Sequence, residues 1–206
     1  MTLRTAASLW SVPPPEQPAE AQRLAAAGVE HLHWDVTDGE FARTGGFDPD
    51  TASRLTAAAG VDAEVHLMVT DPLAHVDAWT DLCDLVVVHV EARGWSEALR
   101  RIERRGARPA VALSPGTPTD TVPSGELATL VMSVAPGHGG SGFRPATYDR
   151  LRALAGRRLL GVDGGVDHES GRLSRAAGAT WLVSGTALLS SPEPAEWLAG
   201  LAAPLG

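Results

Sequence analysis

From one end of the chain to the other, short β-rich runs alternate with segments of helical period. That alternation constrains the fold more than any single motif. Strand character is found at residues 6–12, 31–36, 63–69, 85–90, 108–113, 130–134, 158–162 and 180–184. Helical patterns fall near 18–27, 49–59, 72–82, 95–105, 119–127, 145–154, 168–177 and 194–201, and proline opens several of them, as suits a first helical position. Gly28, Gly60, Gly106, Gly156 and Gly178 follow five of these segments in the place of C-terminal caps. Repeated strand–helix units over 206 residues predict a single α/β domain, 1–206, folded as a (β/α)8 TIM barrel. A doubly wound sheet is the competitor, but it has fewer units and an early G-x-G-x-x-G, and none follows the first strand here.

Composition narrows the partners. With 44% hydrophobic residues the chain can bury a core without staples. A balance of 17 basic to 25 acidic side chains, formally -8, argues against non-specific nucleic-acid or anionic-membrane surfaces but not against a small anionic substrate. The single cysteine, Cys83, excludes an internal disulfide and reads as a buried structural thiol. There is neither a signal-peptide layout nor an apolar run near the roughly 20 residues that span a bilayer, so a cytoplasmic protein is expected.

On a strand, alternate side chains share a face, so His33 and Asp35 point the same way. His66 and Asp163 sit on two later strands, and in a barrel the working site lies at the C-terminal strand ends. Four metal-competent side chains would converge there, two of them carboxylates able to move protons. Around them lie glycine-rich turns: Gly137-His138-Gly139-Gly140 after strand 6, Gly164-Gly165 after strand 7, and Gly185-Thr186 after strand 8. Glycines let backbone N–H groups approach an anion, and loops 7 and 8 are the recurrent phosphate cradle of this fold.

These motifs, taken in order, resemble the ribulose-phosphate 3-epimerase family. Its H-x-D-x-M-D-G corresponds to 33–39, with Thr37 for Met, and its H-L-M-V to 66–69. H-V-E-A falls at 89–92, N-P-G-T-P at 114–118 with Ser114 first, and V-M-S-V-x-P-G-F-G-G-x-x-F at 131–143 with His138 for Phe. E-V-D-G-G-V survives at 162–166, and A-G-A-x-x-L-V-x-G-S-A at 177–187 with Thr186 for Ser. The resemblance implies a barrel of the ribulose-phosphate-binding type and an isomerase that epimerises C3 of a phosphorylated ketose, D-ribulose 5-phosphate to D-xylulose 5-phosphate. It implies one divalent metal held by His33, Asp35, His66 and Asp163. This set suits zinc, and also iron(II), manganese or cobalt. Asp35 and Asp163 are then the proton-transferring pair, Ser8 and His66 meet the substrate along with the glycine turns, and a homo-oligomer is expected.

The departures cluster at the rim. Residues 40–44 and the stretch Val12–Pro15 after the first strand differ from the family pattern, which leaves open another ketose phosphate such as a hexulose 6-phosphate. A paralogue that binds sugar phosphate without catalysis is the rival of another class. Elsewhere, His89 reads as a support to the metal ligands, Asp38 as structural and His31 as a packed histidine. Trp34 is expected to face outward under the helices, and Trp10, Trp79, Trp95, Trp181 and Trp197 are expected to pack between barrel and helices.

Overall fold

The computed structural model describes residues 3–123 and 125–203. Eight parallel strands, β1 (Arg4–Ser8), β2 (His31–Thr37), β3 (Asp62–Met68), β4 (Leu85–His89), β5 (Arg108–Leu113), β6 (Ala128–Met132), β7 (Leu160–Asp163) and β8 (Trp181–Ser184), close into a barrel in sequence order. The seam is closed by β8 lying beside β1, with Arg4 opposite Trp181 and Ala6 opposite Val183. Outside the strands run α1 (Gln17–Ala26), α2 (Pro49–Ala59), α3 (Leu73–Thr80), α4 (Trp95–Arg104), α5 (Thr147–Ala153), α6 (His168–Ala176), α7 (Thr186–Leu189) and α8 (Pro194–Ala202). The TIM barrel expected from the alternation is therefore the fold.

Strand alternation sorts the two faces as expected. On β2, Leu32, Trp34 and Val36 join the apolar layer under the helices, and the Trp34 indole N–H donates to Thr56 Oγ1 at 3.1 Å. His33 and Asp35 face the interior. Helix starts follow local chemistry: the Asp48 side chain accepts from Thr51 N ahead of α2, and Asp167 and Ser170 form a reciprocal capping box on α6.

Several boundaries differ from expectation. The helix expected at 119–127 is only a 3-10 turn, Thr119–Thr121. Pro123 and Gly125 interrupt it, and the Arg157 guanidinium takes the carbonyls of Pro123, Gly125 and Leu127, leaving no helical ladder; residue 124 lies outside the described residues. Strand β6 accordingly starts at Ala128, two residues early. Strand β1 stops at Ser8 instead of running to residue 12, because the chain turns there (Val12 N donates to Leu9 O at 3.0 Å) and enters the prolines. Strand β7 begins at Leu160. The short α7 was not anticipated, since four residues are too few to show a helical period.

Two tryptophans also lie elsewhere. Trp181 points into the barrel, not under the helices, because Gly161 on the neighbouring strand has no side chain and a Cβ there would overlap the indole ring. Trp10 lines the cavity at the barrel mouth.

Candidate active site

Parallel pairing sets His33 opposite Glu64 and Asp35 opposite His66, so β2 and β3 deliver ligands at the same height. Asp163 closes the group from the end of β7. One donor atom from each of His33, Asp35, His66 and Asp163 lies within 4.8 Å of all the others. Asp35 Oδ1 stands 3.4 Å from both His33 Nε2 and His66 Nδ1, and Asp163 Oδ2 is 3.6 Å from His66 Nδ1.

The opposite nitrogen of each ring is already engaged. His33 Nδ1–H donates to Glu64 Oε1 at 2.7 Å. His66 Nε2 meets His89 Nε2 at 2.9 Å, and His89 Nδ1 meets Glu91 Oε2 at 3.0 Å. With Glu91 as acceptor, His89 carries its proton on Nδ1 and receives one from His66 Nε2. Both assignments leave a lone pair facing the cluster. His33 Nε2 and His66 Nδ1 are also buried atoms without a hydrogen-bond partner, which is what two imidazoles waiting on a cation require. The residues fit a divalent ion of the zinc, iron(II), manganese or cobalt type.

The electrostatics divide the carboxylates. Burial works to raise Asp35, but His33 and His66 more than offset it and hold its pKa below the usual value. Asp163 is raised by burial and by the negative charge of Asp35. Burial opposes a charge on His33, but Asp35 and Glu64 raise its pKa well above the ordinary imidazole value, so a proton competes for Nε2 until a cation displaces it. Burial lowers His89 to about 4, so it stays neutral between His66 and Glu91.

Above the cluster opens a cavity of about 580 Å³, reached by Ser8, Asp35, Met68, Met132 and Asp163. Ser8 Oγ–H donates to Asp35 Oδ2 at 2.8 Å. The glycine turns all line it: Gly137, His138, Gly139 and Gly140, then Gly164 and Gly165, then Gly185 and Thr186. His66 is not among them: it lies wholly buried beneath the cavity, within the cluster. Gly165 has φ +65°, and a Cβ on it would stand 2.6 Å from the backbone of Gly142 and Phe143. Loops 6 and 7 therefore touch through bare backbone.

The rebuilt segment after β2 crosses the mouth as a strap. Asp38 accepts from the N–H groups of Glu40, Phe41 and Thr70, the structural role expected of it. Phe41 covers His89 with ring centroids 4.8 Å apart, and Ala42 and Arg43 border Gly137 on the far side. The strap returns beside Trp10, and Val36 pairs with Gly46, whose positive φ and missing Cβ admit the Asp35 carbonyl. Thr37 Oγ1–H is turned to the Gly45 carbonyl at 2.8 Å.

Sequence reasoning passed over Glu64, which lies two residues before His66 on the same face of β3 and was therefore within reach of the alternation argument. It also passed over Trp10, whose departure from the strand no local pattern announces.

The sequence model of the ribulose-phosphate 3 epimerase family matches residues 4–189. The cytoplasmic isoform of ribulose-phosphate 3-epimerase from Oryza sativa subsp. japonica is 32% identical over 195 residues, covering 89% of this chain and 86% of its own. The ribulose-phosphate 3-epimerase of Chlamydia trachomatis serovar D is 33% identical over 180 residues, covering 80% and 77%. Among solved structures, 3-hexulose-6-phosphate synthase from Salmonella typhimurium superposes with a TM-score of 0.73 at 10% identity, covering 97% of each chain. Phosphoribosyl anthranilate isomerase from Thermus thermophilus does so at 0.65 and 20%, covering 97% and 96%. These two share the fold. With the family match spanning nearly the whole barrel, the chain belongs to the ribulose-phosphate 3-epimerase family.

Proposed function

We propose that this protein epimerises a phosphorylated ketose at C3, converting D-ribulose 5-phosphate to D-xylulose 5-phosphate with one divalent metal, zinc by the chemistry of its ligands. The observation that carries this reading is the pair Asp35 and Asp163, both open to the cavity and both beside His66. A C3 proton α to a carbonyl is weakly acidic, and its removal needs positive charge where the oxyanion develops. The ion held by His33, Asp35, His66 and Asp163 supplies that charge when bound.

One aspartate, ionised, takes the C3 proton, the C3–H pair forms a C2=C3 bond as the carbonyl pair moves onto oxygen, and the other aspartate, entering as the carboxylic acid, gives its proton to the opposite face of C3 as those electrons return. Ser8 holds Asp35 in place through its hydroxyl donor. The turns at Gly137–Gly140, Gly164–Gly165 and Gly185–Thr186 present backbone to the phosphate. Met68 and Met132 give the reacting end an apolar wall. The same reading takes residues 1–206 as one barrel domain, working in the cytoplasm as a homo-oligomer. Among the described residues no helix is long and apolar enough to cross a membrane.

One observation favours a different ketose phosphate: Trp10, just past the shortened first strand, lines the cavity while the metal cluster is untouched. The deciding experiment follows C3 proton–deuterium exchange in D₂O on ribulose 5-phosphate and on hexulose 6-phosphates, with stripped and metal-reloaded protein. Metal-dependent exchange with xylulose 5-phosphate formation supports the first reading, and a strong hexulose preference moves it to the second. Tight binding without exchange on any substrate would overturn catalysis altogether.

A further inference from the structure

The interior of a TM barrel is ordinarily filled by layers of bulky apolar side chains. Here the layer below the ligand cluster contains a fully buried carboxylate, Glu64. Three donors converge on it: Arg4 Nε at 2.7 Å on one oxygen, and His33 Nδ1 at 2.7 Å with Trp181 Nε1 at 3.0 Å on the other. Two of the three come from β1 and β8, the strands that close the barrel seam. The space that lets the indole reach inward is the missing side chain of Gly161. Gly161 stands where the family motif E-V-D-G-G-V begins with glutamate, and the interior carboxylate seen here, Glu64, comes from β3.

Resting on the reading that the cluster holds a metal, we propose that Glu64 is a positioning residue. Braced by Arg4 and Trp181, it aims His33 at the ion and sets how tightly the ion is held. A buried ion pair is a poor means of stabilising a core, since well-packed apolar residues of the same volume commonly do as well or better. What the carboxylate supplies that an apolar group cannot is an acceptor for His33 Nδ1–H. That bond fixes the ring's rotation and tautomer, makes the opposite nitrogen a better donor to a cation, and leaves Nε2 unpartnered and aimed into the cluster. Arg4 balances the buried negative charge and reaches on to Asp84 at 3.1 Å, tying the brace to the barrel's lower rim. His66 lacks such a carboxylate at first remove: its partner is the ring of His89. The two histidines are therefore unequal ligands, and His33 is the one whose grip depends on a buried charge.

The test measures zinc affinity by competition with a chromophoric chelator on folded protein, together with imidazole nitrogen NMR and thermal melts of the metal-free form. Glu64→Gln should weaken zinc binding roughly 10- to 100-fold and shift the His33 nitrogen signals. Glu64→Asp, which keeps the charge but withdraws it from Nδ1, should also weaken it, and this variant decides the matter if Gln prevents folding. Trp181→Phe, which removes one donor that braces Glu64 but not the His33 contact, should lower the melting temperature and weaken zinc binding less than either Glu64 variant. If the folded Glu64 variants bind zinc as wild type does, the brace is overturned and the function stands. If wild-type protein binds no divalent ion in the cluster, both readings fall.

Discussion

The two halves of the barrel mouth are built from opposite materials. Strands β2 and β3, backed by β4, present imidazoles and carboxylates whose far atoms are already satisfied by Glu64, His89 and Glu91. Apart from Asp163 at the end of β7, strands β6 to β8 run into turns where Gly137, Gly165 and Gly185 bring main chain to the cavity wall. In the first half function depends on which atoms a side chain carries. In the second it depends on what is missing from Cα. A substitution in one half should therefore fail chemically, and in the other sterically.

The largest break in this contrast should come from Asp163→Asn. Asp163 is the one cluster side chain carried by the second half, and if it transfers a proton as proposed, turnover falls by about 10³-fold or more while the melting curve is unchanged, as a coupled epimerase assay and calorimetry would show. Turnover near that of wild type would remove Asp163 from the proton-transferring pair. Next is Gly165→Ala, where the added Cβ meets the backbone of Gly142 and Phe143 at a positive φ. The expected result is a loss of about 1–3 kcal/mol in denaturant unfolding, with KM for the sugar phosphate rising more than kcat falls.

A smaller effect should separate the carboxylates that support the first half. Burial opposes the charge on Glu91, but its bonds to His89, Thr117 and Ser114 hold its pKa at about 2, against 4.5 for a free glutamate. The unfolded chain therefore takes up this proton first as the pH falls. The stabilising contribution is complete above about pH 4.5 and drains away toward pH 2. Urea midpoints of Glu91→Gln should fall less steeply than wild type across that window, and parallel slopes would show that Glu91 is not held this way. The smallest effect should be at Gly139, where a Cβ meets no atom within 4 Å and the backbone needs no left-handed conformation. Gly139→Ala should change stability by no more than about 0.5 kcal/mol, confining the steric half of the mouth to the turns that touch.

The side-chain half was the more legible in sequence. Period-two alternation places His33 and Asp35 on one face whatever the neighbouring strands do, and the same rule applied to β3 reaches Glu64 from His66. What alternation cannot supply is the partner across the barrel. Trp181 was expected under the helices because its own strand is silent about Gly161 beside it, and the indole turns inward only because that neighbour leaves room. The irregular stretch before β6 was misread for a similar reason. Its apparent helical period is overruled by Pro123, Gly125 and a guanidinium from residue 157. Trp10 belongs to the cavity because the chain turns after Ser8, and a turn that starts before its prolines leaves little mark in the pattern of apolar residues.

The strap over the mouth has a practical consequence for altering what the barrel accepts. Its return limb is fixed at Gly46, because any side chain there would collide with the carbonyl of Asp35 and push a metal ligand off its strand. Its outer residues, Glu40, Arg43 and Thr44, carry no such tie to the cluster. A library that randomises those three positions and holds residue 46 constant would vary the mouth while leaving Asp35 where it is.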